Sequence, residues 1–233
     1  SITPNDAGCL QYIEDFLTQR GFINETLTFG RVKNLWSVKR NNGPLLVFLG
    51  HVDVVPTGPE NEWEHDPFSG YDDGTFINGR GTGDMKGGIA CFMSALSRID
   101  VDSLNYSIGF LITADEEGPS KDGTVKVVEE LLQRNEKIDY CLIGEPSTLE
   151  TVGDNIRIGR RGSINIELEV LGKQGHAAYP ARVDNPIHKV VPFLDKLLKE
   201  VWDEGNEHFP PTSLQLTNIC LLYTSPSPRD DVI

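Results

Sequence analysis

Three continuous apolar runs organise the first two thirds of the sequence. They are Leu45–Leu49, Tyr106–Thr113 and Tyr140–Ile143, and such runs are typical of strands buried on both faces of a sheet. Apolar residues at helical spacing predict helices over roughly 10–17, 85–99 and 123–133. Strands that alternate with helices indicate an α/β fold, with a mostly parallel sheet flanked by helices.

Shorter strands, a loop and a helix start are predicted around these runs and helices. Residues 27–39 predict one or two strands around Gly30, and Phe76-Ile77 predicts a short strand. Residues 56–75 are rich in proline, glycine and acid, which indicates a surface loop. Thr3-Pro4-Asn5-Asp6 is expected to start the first helix.

The pattern changes after about Ile158. An alternation predicts a half-exposed strand over 165–171, followed by a helix over 185–202 and a strand over 214–219. We therefore expect a domain at 1–157 and part of a smaller α+β domain at 158–219. The last fourteen residues have no periodicity, and we expect 220–233 to be a disordered or foreign tail.

Composition and charge narrow the class of protein. The 233 residues carry a net charge of −14, so a nucleic-acid partner is not expected. No apolar run approaches the ~20 residues of a membrane span, and no signal peptide is expected. The four cysteines form no Cys-x-x-Cys pair, which favours a reducing cytoplasm, and Cys91 and Cys141 are expected to be buried.

Acidic residues and one histidine follow the predicted strands. Ligands of parallel sheets bind beyond the carboxyl ends of the strands, where these side chains stand. Taken singly, each motif fits a solvated acid or a surface pair, but their joint placement favours one site. The members of this set are His51, Asp53, Glu116, Glu117, Glu145 and, on the glycine-rich turn 79–83, Asp84.

The side-chain chemistry of this set predicts a metal-dependent hydrolytic site. Imidazole and carboxylates without thiolates suit catalytic zinc, cobalt or manganese. One carboxylate can bridge two ions, and of two adjacent acids one can bind metal while the other moves a proton. Neither a His-Glu-x-x-His motif nor a Gly-x-Ser-x-Gly elbow occurs.

The motifs together resemble those of the di-zinc aminoacylase/carboxypeptidase-type hydrolases. The similar stretches are Gly50–Pro56, Gly79–Gly87, Asp115–Glu117 and Gly144–Pro146. Three later stretches, 159–163, 175–180 and 202–213, resemble the branch of that family that acts on a succinylated diamino acid. The resemblance covers about residues 1–219, and it implies a zinc-exopeptidase-like catalytic domain with a dimerisation or lid domain.

The resemblance also implies a role for each site residue. It implies one zinc ion on His51, Asp84 and Glu145, and a second on Asp84, Glu117 and a C-terminal histidine; cobalt or manganese can substitute. Glu116 is implied as general base, Asp53 as the residue that tunes His51 or the base, and Arg160 as a ligand of substrate carboxylates. His176 is implied to reach the active site of the partner subunit in a homodimer. A cis peptide bond after Asp84 is implied as well.

The activity implied is hydrolysis of the succinyl amide of N-succinyl-LL-2,6-diaminopimelate, a small molecule of lysine and diaminopimelate biosynthesis. Acetylornithine or another N-acyl amino acid is the alternative substrate. A relative that binds without catalysis is the alternative of another class, although the adjacent Glu116 and Glu117 argue against it, because a binding module needs no free base.

The sequence departs from the family at its C-terminal end. The resemblance implies that the rest of the smaller domain and the last metal histidine follow later in the chain. His65, His188 and His208 do not stand in the matching motif. We therefore expect at most one well-formed metal site in these 233 residues, and little or no activity.

Overall fold

A computed structural model describes residues 1–173, 175–176 and 178–220. The chain divides into two compact units, Ser1–Ile156 and Arg157–Ile233, and each is described by itself. Within the described ranges, no helix is both long and apolar enough to cross a membrane.

The first unit contains three α-helices and seven strands, besides a few short helical turns. The helices are α1 (Cys9–Thr18), α2 (Gly87–Leu96) and α3 (Thr124–Gln133). The strands are β1 (Ile23–Phe29), β2 (Val32–Lys39), β3 (Leu45–His51), β4 (Tyr71–Asp72), β5 (Ile77–Asn78), β6 (Ser107–Thr113) and β7 (Tyr140–Ile143).

Five of these strands form one sheet, in the order β1-β2-β6-β3-β7. The strands β6, β3 and β7 are parallel, whereas β1 and β2 pair antiparallel with each other and β2 with β6. Only two residues connect β1 to β2, and so short a loop allows only antiparallel pairing. The predicted α/β class is therefore confirmed, and the sheet is mixed.

The three parallel strands end level with one another. His51 lies beside Thr113, and Leu49 lies beside Ile143. The residues that follow these strands therefore emerge at one edge of the sheet. This register places the predicted acids and His51 at the same edge.

Two apolar layers hold the helices on the sheet. On the face of α1 and α2, Phe48 stacks on Phe92 with 4.4 Å between ring centroids, and Phe110 is fully buried. On the opposite face, Val127 and Leu131 of α3 are buried with residues of β2, β3 and β6. Burial of such side chains stabilises the sheet by roughly 1.5–3 kcal/mol each, before the loss of conformational entropy.

The prediction that β7 is buried was wrong. All four of its residues are exposed, because β3 pairs with it on one side and the described residues place no strand on the other. The predicted burial of Cys91 and Cys141 was wrong for related reasons. Cys141 lies on this edge strand, and Cys91 lies on the outer side of α2.

Two helix starts also differ from the prediction. The first helix begins at Cys9 rather than near Thr3-Asp6, because residues 1–3 run beside Val54 instead. The helix expected from Met85 begins at Gly87, since Thr82–Lys86 form a wider, π-type turn.

The second unit has one α-helix among its described residues, α4 (Pro186–Lys199). This helix confirms the prediction over 185–202, with an earlier end. Asn185 caps it by accepting a hydrogen bond from the N–H of Ile187 at 2.9 Å.

The strands expected over 165–171 and 214–219 were wrong, because the structure has neither a helix nor a strand there. An alternating segment becomes a strand only when a neighbour offers a hydrogen-bond ladder. The described part of this unit offers a single bridge, between Lys173 and Asp184. The domain limits at 157, 219 and 233 stay a prediction, and residues 221–233 of the expected tail lie outside the described residues.

Candidate metal centre

His51, the last residue of β3, is the buried centre of the candidate site, with 1% of its surface exposed. Its Nδ1 lies 3.0 Å from the backbone carbonyl oxygen of Asp53. A carbonyl oxygen only accepts hydrogen bonds, so Nδ1 carries a proton and Nε2 is left to face the site.

Three carboxylates surround Nε2 of His51. The nearest oxygen atoms belong to Asp84 at 3.1 Å, Glu145 at 3.3 Å and Glu116 at 3.9 Å. Two groups of side chains bring their ligand atoms within 4.8 Å of one another: His51 with Asp84 and Glu145, and His51 with Glu116 and Glu117. The five predicted metal-site and base residues are thus brought together.

The glycine-rich turn presents Asp84 to this centre. Gly81 has a φ of 82°, which favours glycine, and Val54 and Lys86 occupy the space that a Cβ atom at Gly81 would need. Asp84 itself is about half exposed, with 56% of its side chain accessible. The Asp84–Met85 peptide bond is cis, as the resemblance implies.

Asp53 lies behind His51 and is fully buried. Its carboxylate accepts hydrogen bonds from the hydroxyl of Thr3 at 2.5 Å and from the N–H groups of Glu116 at 3.2 Å and Glu117 at 3.1 Å. Burial opposes the charged form, but hydrogen bonds from His51, Thr3 and the two amides lower the pKa of Asp53 below its usual range. Asp53 therefore fixes both His51 and the backbone that carries the two glutamates.

A second buried carboxylate, Asp115, shapes the loop after β6. It accepts hydrogen bonds from the N–H groups of Lys121 at 3.0 Å and Asp122 at 2.9 Å. The loop is therefore folded back on itself, and Glu116 and Glu117 are held at its start.

Electrostatics in the centre favour the binding of a cation. Burial and then the neighbouring Asp84 raise the pKa of Glu145, and the same two causes raise the pKa of Glu117. Burial would lower the pKa of His51, but hydrogen bonds to Asp53 and the charges of Glu145 and Glu116 raise it to about 9. The carboxylates thus recruit a proton onto His51.

The donor set fits a divalent metal ion. Neutral His51 points the lone pair of Nε2 at carboxylate oxygens, and this contact is repulsive unless a proton or a metal ion lies between them. Nitrogen and oxygen ligands without thiolates suit zinc, cobalt or manganese. Neutral His51, Asp84 and Glu145 are therefore able to hold one such ion.

The remaining predicted residues belong to the second unit. His176 accepts a hydrogen bond from the N–H of Ala178 at 3.0 Å, and Arg160 is exposed. Their predicted roles at the active site stay predictions.

Sequence reasoning missed two contributors to the centre. It assigned Thr3 to a helix start, although the hydroxyl of Thr3 bonds to Asp53, fifty residues away. Small residues near the start of α2 suggested close packing on the sheet, but not that a Cβ atom at Gly88 would collide with the carbonyl oxygen of Gly144 beside Glu145. No local spacing marks either contact, because each joins distant parts of the chain.

The α/β fold and the histidine–carboxylate centre at one edge of its sheet define a class of proteins with a metal centre at that edge. Comparison with known protein families agrees with this class. Residues 47–222 match the model of the peptidase family M20/M25/M40. The match covers more than half of the sequence, and the chain belongs to this family.

Two individual relatives share more than half of their aligned residues with this chain. The chain is 53% identical over 221 residues to the succinyl-diaminopimelate desuccinylase of Marinobacter nauticus and 53% identical over 222 residues to that of Hydrogenovibrio crunogenus. Each alignment covers 94% of this chain and 59% of the relative. The chain thus spans about three fifths of the length of these relatives.

Solved structures support the fold alone. Human carnosine dipeptidase 1 matches with a TM-score of 0.52 at 23% identity, over 57% of this chain and 31% of that one. The di-peptidase Dug1p from Saccharomyces cerevisiae matches with a TM-score of 0.51 at 16% identity, over 82% of this chain and 44% of that one.

Proposed function

We propose that the protein is a metal-dependent amide hydrolase that removes succinate from N-succinyl-LL-2,6-diaminopimelate, in lysine and diaminopimelate biosynthesis. The observation that carries the proposal is the convergence of His51 with four acidic side chains, in a chain 53% identical to two desuccinylases. The other members of the cluster are Asp84, Glu116, Glu117 and Glu145.

His51, Asp84 and Glu145 are assigned to one divalent ion. Their ligand atoms already lie within 4.8 Å of one another, so little rearrangement is needed. Asp84 and Glu117 are assigned to a second ion, together with the C-terminal histidine that the resemblance implies. We propose zinc for both ions, with cobalt or manganese as substitutes.

Bound divalent ions supply acidification of water and polarisation of the amide carbonyl. Glu116 takes a proton from the attacking water and delivers it to the leaving amine. Two features suit Glu116 to proton transfer. Its side chain is 44% exposed, and its Oε2 is farther from His51 Nε2 than are the nearest oxygens of Asp84 and Glu145. Asp53 holds His51 and the backbone of Glu116 in place.

The second unit is assigned to substrate recognition and dimerisation. We propose that Arg160 binds a carboxylate of the substrate, which carries three such groups, because a guanidinium pairs with carboxylates in bidentate geometry. His176 is assigned to the oxyanion in the active site of the partner subunit of a homodimer, where hydrogen-bond donation stabilises developing charge.

We also propose a cytoplasmic location. The four cysteines are free thiols, and three of them are exposed. Exposed thiols persist in a reducing compartment, whereas an oxidising one favours disulfides.

The test uses a chimera in which the C-terminal part of the Marinobacter nauticus relative follows residue 219 of this chain. Turnover of N-succinyl-diaminopimelate and of acetylornithine is measured side by side, with zinc or cobalt added. We expect the succinylated substrate to have the higher kcat/KM. A higher kcat/KM for acetylornithine would contradict the assigned substrate, and no metal-dependent hydrolysis of either compound would contradict the reaction class.

A further inference from the structure

The first three residues of the chain are built into the candidate metal centre. Ile2 forms a parallel β-bridge with Val54. The N–H of Val54 donates to the carbonyl oxygen of Ser1 at 3.0 Å, and the carbonyl oxygen of Val54 accepts the N–H of Thr3 at 3.4 Å. This pairing brings Thr3 beside Asp53, which precedes Val54.

The hydroxyl of Thr3 is the closest hydrogen-bond donor to Asp53. It donates to Oδ2 at 2.5 Å, and the same oxygen accepts the N–H of Glu117 at 3.1 Å. The other oxygen, Oδ1, accepts the N–H of Glu116 and lies 3.5 Å from Nδ1 of His51. Fixing Oδ2 therefore also fixes the orientation in which Oδ1 faces His51 and Glu116.

The lack of a side chain at Gly118 leaves space for the methyl group of Thr3. A Cβ atom at Gly118 would lie 2.5 Å from the methyl carbon of Thr3. Thr3 therefore lies, partly buried, between Asp53 and the loop that begins with the two glutamates. The absence of a side chain at Gly118 lets this loop approach the N-terminal segment.

We propose that Thr3 is a positioning residue of the metal centre. Its hydroxyl locks the rotation of the Asp53 carboxylate, and Asp53 in turn holds His51, Glu116 and Glu117 ready for metal. Partners that orient a ligand directly, as Asp53 orients His51, typically change metal affinity by about 10–100-fold. Thr3 acts one contact further out, so we expect an effect at the lower end of this range. The effect on metal rests on the proposed function, whereas the locking of Asp53 is a property of the metal-free chain.

The test compares Thr3→Val, which keeps the shape and removes the hydroxyl, with Thr3→Ser, which keeps the hydroxyl. Cobalt affinity of the 233-residue chain is measured from its visible absorption. Hydrogen exchange at the amides of Glu116 and Glu117 is measured without metal. We expect Thr3→Val to weaken cobalt binding about tenfold or more and to speed exchange at both amides, and Thr3→Ser to stay near the parent chain.

Thr28→Val is the matched control, because Thr28 is exposed on β1, and both measurements should be unchanged. The proposal is overturned if Thr3→Val leaves exchange unchanged, or speeds it without weakening cobalt binding. A parent chain that binds no cobalt would refute the proposed metal site and the effect of Thr3 on it, while the exchange measurement would still decide whether Thr3 locks Asp53.

Discussion

At the scale of single residues, the site depends on which nitrogen of His51 faces the acids. The Asp53 carbonyl holds the proton on Nδ1, so Nε2 must carry a second proton or a metal ion beside Asp84 and Glu145. Protons and metal ions therefore compete for the same nitrogen atom, and this competition predicts how stability depends on pH.

Without metal, the free energy of unfolding should fall as pH rises from 6.5 to about 9. The pKa of His51 is raised from 6.5 in the unfolded chain to about 9 in the folded chain. The stabilisation that comes from protonated His51 is therefore complete below pH 6.5, and it is lost as the proton leaves near pH 9. This shift corresponds to roughly 3 kcal/mol. Urea unfolding at several pH values with a chelator checks this.

His51→Gln should remove most of this pH dependence. His188→Gln, at an exposed position of α4, serves as the control and should retain it. A parent chain whose stability is flat between pH 6.5 and 9 would contradict the assignment.

Glu116 and Glu117 are neighbours in sequence with different proposed roles. In the chimera, Glu116→Gln should lower kcat by about 10²–10⁴-fold, because the base is lost, while metal content stays unchanged. Glu117→Gln should instead lower metal content. Metal analysis and steady-state kinetics of both variants check this, and normal turnover by Glu116→Gln would rule out its role as base.

At the scale of elements, the centre requires α2 and the end of β7 to approach closely. A Cβ atom at Gly88, in the first turn of α2, would collide with the carbonyl oxygen of Gly144. Gly144 itself packs against Phe48 and Met85, where a side chain would also collide. One glycine in α2 and one directly after β7 thus allow Asp84 and Glu145 to reach the same histidine.

Gly88→Ala should lower both stability and cobalt affinity. Alanine favours a helix by up to about 1 kcal/mol, but the collision with backbone should cost about 1–3 kcal/mol and displace Glu145. Gly83→Ala is the matched control, because its Cβ atom would point into open space next to Asp84. Thermal unfolding and cobalt titration check this pair, and equal results for both variants would refute the argument.

At the scale of the whole molecule, the five clustered residues all belong to the first unit, Ser1–Ile156. Asp53 and Thr3 belong to it as well, whereas His176 and Arg160 belong to the second unit. Metal binding can therefore be examined separately from the proposed roles of the second unit.

The 233-residue chain should bind one zinc ion tightly and show little or no turnover. His51 and the carboxylates of Asp84 and Glu145 are available to one ion. The second ion is expected to need a histidine from further along the chain. Metal analysis after dialysis, with the chimera as the comparison, checks this. Two tightly bound zinc ions in the shorter chain would contradict it.

Much of the first unit was predictable, because its signals are local. The apolar runs that predicted β3, β6 and β7 depend on nearest neighbours in sequence, and parallel strands bring their carboxyl ends to one edge. The convergence of His51, Glu116 and Glu145 follows from this rule alone. The strands expected in the second unit failed because a strand also needs a partner, which alternation does not supply.

The amino-acid sequence alone was enough to predict the α/β class, the order of the main elements of the first unit and the side chains available to a metal ion. Three features could be seen only in the folded chain: Thr3 donates to Asp53, Gly88 meets Gly144, and β7 is exposed. Periodicity and residue type carry information about only a few neighbouring positions. Contacts between positions 50 or more residues apart depend instead on how closely packed surfaces fit together.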